Sequence, residues 1–454
     1  MTELVFMIPE LSILILTVFA LFMRNKTGIF IIAFVLLGIS IITFFMSNNI
    51  NGDIFLYEES IRITRITQYM KVLCLGMTSI FLIFSMCYSL ENGFVGLILL
   101  ALLGVLITIS SNNFIILYLS IEIQSLASYA LVALNRRSLT SSEAVMKYFV
   151  LGALSSVFIV YGISVVFIFS QQMDFIEIAK IFYPQYPDTV EVILCPGLIF
   201  GLLMILIGLS FKVAIVPLHN WIADVYEGAN ILVTTFISSI PKVSVVFIVF
   251  ILFNQILSIV PLQGLFFCMG VLSIFIGTFS AIKQDNIKRL LAYSSIVHMG
   301  YMYSLLGAGC TGIVRESSIL FYISVYSITN LGVFMLISRF PDFSLEKIKN
   351  IKKTNPYLTS VFTFFILSMA GFPPLPGFFI KLAVLQDIVR MDFIVFAFLI
   401  LIGGVISMFY YLYIIKSIYF SSNMKMSLTS ENKGGFLVCV LATFLLIVSI
   451  LILI

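Results

Sequence analysis

Residues 208–230, GLSFKVAIVPLHNWIADVYEGAN, place a lysine and a proline at the end of a long apolar segment. Lys212 lies inside the apolar part, where a charged side chain costs about 2.5–3.5 kcal/mol at the middle of a bilayer. Pro217 follows it and lacks the backbone N–H that a continuous helix needs. We interpret the stretch as a discontinuous membrane helix with a functional charge beside its break, since such breaks supply the irregular backbone of ion sites.

The composition of the whole chain is that of an integral membrane protein. Its 454 residues are 61% hydrophobic and only 10% charged, whereas soluble domains have about 25% charged residues. Many apolar runs reach the roughly 20 residues that a spanning helix needs, without the alternation of a membrane barrel. The net charge of +4 is not gathered in a basic stripe, so nucleic acid is not expected as a partner.

The sequence has no motif for a bound cofactor. The six cysteines are scattered and form no C-x-x-C pair, which favours small buried hydrophobic residues over a metal site. A dinucleotide-binding glycine motif, a P-loop and a haem-attachment motif are all missing from the sequence. We therefore expect neither a redox centre nor a metal in this chain, and we expect the energy for any transport to come from another subunit.

About fourteen apolar runs have the length of a membrane span. The N-terminal run has an acidic front and no small-residue cleavage site, so it is interpreted as the first span and not as a signal peptide. The predicted spans lie near residues 4–23, 28–47, 69–90, 94–111, 113–134, 143–169, 193–216, 230–254, 262–282, 290–309, 316–338, 357–380, 392–416 and 435–454.

Lysine and arginine are unevenly divided among the loops between these spans. The odd-numbered loops contain fifteen of them, and the even-numbered loops, which also carry several acidic residues, contain only five. The positive-inside rule therefore places the odd loops in the cytoplasm or matrix and both termini on the opposite side. The five in even loops are Arg62, Arg65, Lys180, Arg315 and Arg390.

Several ionisable side chains lie inside predicted spans. Lysine suits a proton path because desolvation and neighbouring carboxylates readily change its proton affinity. The candidates for proton translocation are Glu122, Lys212, Lys242 and Lys381, with Lys147 and His298 as further candidates. The prolines expected to interrupt helices near them are Pro217, Pro241, Pro373, Pro374 and Pro376.

The spacing of these residues predicts an internal repeat. The seventh and twelfth spans each combine a lysine with a proline break, and the fifth and tenth carry Glu122 and His298. Corresponding interrupted spans are typical of inverted repeats in transporters, and an odd number of spans per repeat makes the repeat inverted. The predicted fold is an all-α integral membrane protein with discontinuous helices 7 and 12. It is divided into a three-helix segment (1–93), two inverted five-helix repeats (94–254 and 255–416) and a C-terminal helix (417–454).

Seven long stretches of the chain are specific enough for comparison with known families, and in chain order they are YLSIEIQSLASYAL, SEAVMKYFVLGALSS, GLSFKVAIVPLHNWIADVYEGAN, TTFISSIPKVS, IKRLLAYSSIVHMGYM, LSMAGFPPLPGFFIKL and ISMFYYLYIIK. Together they resemble the antiporter-like membrane subunits of the proton-pumping NADH:quinone oxidoreductase, respiratory complex I. Within the family pattern, Ala223 stands where a proline is usual, so the turn is expected to be less rigid. Asn230 replaces another common proline, so the start of the eighth helix is left open.

The resemblance implies a proton-translocating core subunit of complex I. Glu122 and Lys212 would form a switchable pair, Lys242 the connection and Lys381 the exit-side carrier. NADH, FMN, iron–sulfur clusters and ubiquinone are then expected on partner subunits. The expected partners are an antiporter-like subunit 4, small membrane subunits and lipids such as cardiolipin. The expected location is the mitochondrial inner membrane, with both termini in the intermembrane space, and a bacterial plasma membrane is the alternative.

Other interpretations stay open at this point. A related cation/proton antiporter of the Mrp type, or a structural scaffold with an inert channel, would keep the same motifs. For the lysines and Glu122 the alternative is structural ion pairing. Lys71 and Lys147 lie near the ends of spans, where such side chains reach the interface. His298 could be a hydrogen-bonded structural histidine, and Trp221 is expected as an interfacial anchor.

Overall fold

The computed structural model describes residues 6–22, 26–48, 50, 52–135, 138–182, 196–257, 262–309, 316–340, 343–345 and 356–420. Almost all of them are helical, which confirms the predicted class. The helices are α1 Ile8–Phe22, α2 Lys26–Ser47, α3 Arg65–Ser85, α4 Phe94–Ser110, α5 Phe114–Ala133, α6 Leu139–Ser170, α7 Phe175–Phe182, α8 Pro196–Val213, α9 Ile222–Gly228, α10 Ile231–Leu252, α11 Gln263–Ile282, α12 Ile287–Ala308, α13 Glu316–Ile337, α14 Pro356–Ala370, α15 Pro376–Arg390 and α16 Ile394–Tyr419.

The helices have the length and apolarity of membrane spans. Within the described residues, nine are long and apolar enough to cross a bilayer, and three shorter apolar helices lie in α1, α4 and α14. The protein is therefore a multi-pass membrane protein. The count of about fourteen spans and the inverted repeat stay predictions, and the last predicted span, 435–454, lies outside the described residues.

One element departs from the all-α prediction. Strands β1 Ile54–Leu56 and β2 Ile61–Ile63 form an antiparallel hairpin in the second loop. Leu56, Ile61 and Ile63 are buried and pack in one apolar cluster with Met7 and Ile50. The sequence carries only part of the strand signal, since apolar and polar residues alternate in β2 (Ile61, Arg62, Ile63) but β1 is apolar throughout. Each strand has three residues, far fewer than the roughly 20 of a membrane span, so a search for spans does not find the hairpin.

Several helices begin at a polar capping residue. Thr64 accepts a hydrogen bond from the backbone N–H of Thr67 and completes a capping box at the start of α3. Asn113 and Asn286 cap α5 and α12 in the same way, each accepting from a backbone N–H two residues ahead. These side chains satisfy backbone donors that have no partner inside the helix, and they fix where each helix begins.

The chain forms two compact units that are discontinuous in sequence. Unit 1 contains Met1–Leu134, Met146–Val213 and Ile240–Leu262, and unit 2 contains the remainder. Their boundaries fall after α5, within α6, directly after α8, within α10 and directly before α11. The predicted division at residues 93, 254 and 416 remains a prediction.

Two membrane segments are interrupted where the prolines predicted a break. α8 ends at Val213, Pro217 lies in the following turn, and α9 begins only at Ile222. α14 ends at Ala370, and α15 begins with Pro376 at its first position, where the missing N–H has no cost.

The prediction that Pro241 interrupts a helix is wrong. α10 continues through it from Ile231 to Leu252. Proline removes one hydrogen bond from the ladder, but the surrounding residues of α10 are almost all buried, so packing holds the helix together.

Candidate functional site

In unit 1, one face of α5 carries the polar groups of the first candidate site. Glu122, Ser125 and Tyr129 are spaced three and four residues apart, which places them on the same side of a helix. Glu122 is half-buried, and Ser125 and Tyr129 are buried. The segment has the apolar composition of a membrane span, but one face of its helix is polar.

Lys212, in the last turn of α8, is held by this face. Its ammonium donates to Ser125 Oγ at 2.9 Å and to Tyr129 Oη at 3.1 Å, and it lies 5.6 Å from the centre of the Tyr129 ring. Glu122 acts on it electrostatically, and among the described residues the ion pairs do not include one between these two side chains. The hydrogen bonds of Lys212 go to hydroxyls, and the Glu122–Lys212 pair stays a prediction.

Glu122 accepts a hydrogen bond from Ser156 of α6 and faces a cleft. The cleft has a volume of about 500 Å³ and is bordered mainly by apolar and aromatic side chains of α5 and α6. Tyr129 also lines it, so the carboxylate and one partner of Lys212 border the same space. Ser156 was not identified from the sequence, because a single hydroxyl is inconspicuous in a membrane helix.

Lys242 lies in the unit 1 part of α10 and is 4% exposed. The helix around it is tied to α5 by Gln124, which donates to the carbonyl oxygen of Pro241 at 3.1 Å and accepts from Ser244 Oγ at 3.0 Å. These two bonds connect α5 to Pro241, directly before Lys242, and to Ser244, two residues after it. Gln124 and Ser244 are functional candidates that the sequence reasoning missed, because amide and hydroxyl side chains are inconspicuous in a membrane helix.

In unit 2, His298 of α12 is buried and bonded through both ring nitrogens. Nδ1 lies 2.9 Å from Tyr322 Oη of α13, and Nε2 lies 3.2 Å from Tyr411 Oη of α16. Tyr411 Oη in turn lies 2.5 Å from Ser294 Oγ. His298 is therefore hydrogen-bonded between helices, as the structural alternative predicted. It is also part of a connected chain of polar groups.

Lys381, in α15, is held by the break of its own segment. Its ammonium donates to the carbonyl oxygen of Ala370 at 2.9 Å, at the C-terminal end of α14. That end carries the negative pole of the helix dipole. The ammonium also lies 5.6 Å from the centre of the Tyr301 ring of α12. Gly371, with φ of +90°, leaves room for the lysine stem, since a Cβ there would come within 3.0 Å of Lys381 Cδ.

The polar turn after Pro217 is fixed to the start of α12. Arg289 donates to Asp224 at 2.9 Å and to Glu227 at 2.7 Å. Asn286 also donates to Glu227, and Lys288 donates to the backbone carbonyls of Glu227 and Ala229. The carboxylates of Asp224 and Glu227 thus bind side chains of α12, which gives the turn a structural role.

Two other predictions, those for Lys71 and Trp221, are resolved by the structure, and the role of Lys147 stays a prediction. Lys71 does not reach the interface, because it is 0% exposed and lies 2.5 Å from the carboxylate of Glu10. Trp221 is 3% exposed and so packs inside the protein. Lys147 is half-buried within α6. In the described part of the chain, His, Cys, Asp and Glu side chains form no group suited to a metal ion.

Comparison with known proteins identifies relatives over most of the chain. The family model described as "NADH:quinone oxidoreductase/Mrp antiporter, TM" matches residues 111–407. NADH-quinone oxidoreductase subunit N of Bartonella bacilliformis is 38% identical over 412 residues, which are 87% of this chain and 83% of that protein.

Two solved structures have the same fold. A chain of respiratory complex I from Thermus thermophilus has a TM-score of 0.79 at 23% identity, covering 99% of this chain and 97% of that one. A chain of the Mrp complex from Dietzia sp. has a TM-score of 0.80 at 18% identity, covering 94% and 81%.

Proposed function

Because the chain belongs to the NADH:quinone oxidoreductase/Mrp antiporter family of membrane proteins, we propose that it is the subunit N, or subunit 2, of an NADH:quinone oxidoreductase. It translocates protons as part of that complex. Two features of the sequence favour subunit 2 over subunit 4 within the family: lysine at position 381, and the DVYEG turn that contains Asp224 and Glu227.

The observation that carries the proposal is the polar face of α5. Lys212 is bound by two hydroxyls there, and the carboxylate of Glu122 lies on the same face. A hydroxyl both donates and accepts, so it can pass a proton between an ammonium and a carboxylate that do not touch. A small movement of α8 would then change the electrostatic influence of Glu122 on Lys212, which is what a switchable pair requires.

The remaining candidates continue the path. Lys242 forms the connection within unit 1, in a backbone held by Gln124. Lys381 is the exit-side carrier of unit 2, with His298 as a relay. Lys147 is a further carrier in α6. The two interrupted segments belong to an inverted five-helix repeat among about fourteen spans, with both termini on the side opposite the lysine-rich loops.

The chain works without a redox group of its own. NADH, FMN, iron–sulfur clusters and ubiquinone are bound by partner subunits, and their reaction supplies the energy. The partners are other membrane subunits of the complex, including antiporter-like subunit 4, together with lipids such as cardiolipin. The relative from Bartonella bacilliformis is bacterial, which favours the bacterial plasma membrane over the mitochondrial inner membrane that the sequence first indicated.

The test is alanine substitution of Lys212 or Glu122 in the assembled complex. Both variants are expected to lose quinone-coupled proton pumping while the complex still assembles. Proton uptake in proteoliposomes and NADH oxidation with quinone are measured together, and a native gel checks assembly. Intact pumping and intact oxidation in both variants would contradict the proposed site.

The second candidate function is that of a cation/proton antiporter subunit, because the family and the matching fold include Mrp proteins. An antiporter would exchange sodium ions for protons in vesicles that contain neither NADH nor quinone. Copurification in mild detergent separates the candidates further, since only the first predicts NADH-oxidising subunits in the isolated complex.

A further inference from the structure

The second interrupted segment, in unit 2, brings the end of α14 against the start of α15. Gly377, in the first turn of α15, has no space for a Cβ beside the carbonyl oxygen of Ser368, in the last turn of α14. Ser368 Oγ also accepts a hydrogen bond from the backbone N–H of Gly377 at 3.3 Å. Lys381 comes one turn after Gly377 and lies on the same face of α15. The lysine is therefore directed toward the C-terminal end of α14.

The end of α14 offers this lysine a backbone carbonyl. The last carbonyls of a helix have no partner within it, and they carry its negative pole. At this end the backbone N–H of Gly371 donates to the carbonyls of Leu367 and Ser368, at 3.1 and 3.0 Å. The carbonyl oxygen of Ala370 accepts from the ammonium of Lys381 at 2.9 Å. The lysine side chain is thus one of the groups that cap α14.

An aromatic ring of α12 also faces the ammonium. The ammonium lies 5.6 Å from the centre of the Tyr301 ring, within the roughly 6 Å over which an aromatic face attracts a cation. Tyr301 is 2% exposed, so little water screens this attraction. Gly371 borders the lysine stem, with φ of +90° and a Cβ position 3.0 Å from Lys381 Cδ. A carbonyl and an aromatic face thus bind the ammonium, and a glycine leaves room for its stem.

These contacts replace the carboxylate that a buried lysine usually has. Within the described part of the chain, the ion pairs do not include one at Lys381, whereas Lys71 pairs with the carboxylate of Glu10. An ammonium without a counter-charge is costly in a membrane segment, and here the partial charges of the helix end and of the ring balance it. Both attract the protonated lysine far more than the neutral amine, because a helix pole and an aromatic face act on charge.

We propose that the C-terminal end of α14 and the ring of Tyr301 form a cation site that holds Lys381 in its protonated state. Tyr301 and Gly371 are then positioning residues, since one attracts the ammonium and the other lets its stem reach the carbonyl of Ala370. The inference rests on the proposed function, in which Lys381 is the exit-side carrier, and it names what retains the proton on that carrier. When the proton departs, the neutral amine is left, and the site binds it only weakly.

The ring is tested in the assembled complex in proteoliposomes, by substitutions that change its electrons and keep its shape. Tyr301→Phe retains the aromatic face and is the reference of the series. Phenylalanine analogues with one, two or three ring fluorines at the same position weaken the negative face, while the volume hardly changes. We expect the pumping rate per assembled complex to fall with each fluorine, by about tenfold over the series, the scale of a desolvated cation–π contact. A ring that only fills space would give one rate with every analogue.

The room beside the lysine stem is tested by a matched pair of glycine substitutions. Gly371→Ala places a Cβ 3.0 Å from Lys381 Cδ. Gly93→Ala is the control, because Gly93 has a similar φ of +84° and its Cβ position has nothing within 4 Å in the described part of the chain. Both strain the backbone, so the yield of the complex should fall alike. Only Gly371→Ala is expected to slow pumping per assembled complex, by about threefold, because it weakens a hydrogen bond from a charged group.

A constant rate across the fluorinated series overturns the cation site, and so do equal pumping rates per assembled complex in Gly371→Ala and Gly93→Ala. Lys381→Met separates that failure from a failure of the proposed function. If Lys381→Met stops pumping while the fluorinated series is constant, only the cation site is wrong. If Lys381→Met pumps at the wild-type rate, Lys381 is not the exit-side carrier, and the proposed function fails at this residue as well.

Discussion

Lys71 and Lys212, both in unit 1, have opposite arrangements. Lys71 of α3 lies 2.5 Å from Glu10 of α1, and both side chains are almost completely buried. Lys212 has its carboxylate, Glu122, on the same helix face as its hydroxyl partners and out of direct contact. A direct pair fixes two helices against each other, because separating it leaves two unpaired buried charges. A lysine bound through hydroxyls can change its protonation without such a loss.

The difference separates structural charges from transport charges. Sequence position alone made Lys71 look like a side chain that reaches the interface and Lys212 like half of an ion pair. The structure corrects the first interpretation, because Lys71 is buried against Glu10. For Lys212 it shows two hydroxyl partners, and the pair with Glu122 stays a prediction. A lysine in a membrane helix is thus informative only when its partners are known, although each such charge predicts a partner.

The largest effect is expected from Lys71→Met. It leaves Glu10 buried without a partner, and such a loss costs about 3–5 kcal/mol. We expect poor assembly, measured as the yield and thermal stability of the complex. Complex that does assemble should pump at the wild-type rate per molecule, because Lys71 lies outside the path.

A compensating variant tests that interpretation. Glu10→Leu combined with Lys71→Met removes both charges and should recover most of the lost stability. If the double variant pumps poorly in spite of normal assembly, Lys71 belongs to the transport path. The distinction between Lys71 as a structural charge and Lys212 as a transport charge would then be wrong.

Glu122→Gln is expected to have the next largest effect, now on transport and not on assembly. The amide keeps the shape and the contact with Ser156, but it cannot take up a proton as a carboxylate does. We expect a decrease of about 100-fold in pumping, within the range of lost acid–base groups. Proton uptake at fixed NADH oxidation measures it, and Glu122→Asp should retain part of the rate.

Ser156→Ala removes the hydroxyl that donates to Glu122 and should slow pumping about tenfold, since hydrogen bonds to charged groups contribute roughly 1.5–3 kcal/mol. Ser155→Ala is the matched control, because the neighbouring Ser155 is also buried and donates only within its own helix, to the carbonyl oxygen of Gly152. Equal effects of the two variants would show that Ser156 acts through packing.

The smallest effect is expected from Ser244→Ala. It removes one of the two hydrogen bonds by which Gln124 holds α10 around Lys242. A neutral hydrogen bond contributes about 1 kcal/mol, so pumping should fall about threefold and assembly should be normal. A full loss of pumping would mean that Ser244 itself carries protons.

Much of the fold could be predicted because membrane helices follow from composition. Long apolar runs gave the class and most helices, and the prolines at 217 and 373–374 marked the two interruptions. The hairpin at 54–63 was missed because it is short. Pro241 was misjudged because its effect depends on the packing of its neighbours, which no local pattern shows.

The sequence by itself determined that this chain crosses a membrane repeatedly and carries a small set of costly charges, including Glu122, Lys212, Lys242 and Lys381. Apolar length and the cost of burying charge are local properties, so they can be recognised residue by residue. Only the tertiary structure decided which groups meet. Hydroxyls of Ser125 and Tyr129 hold Lys212, Glu10 holds Lys71, and two tyrosines from different helices hold His298. These partners lie tens of residues apart in the sequence, and packing alone brings them together.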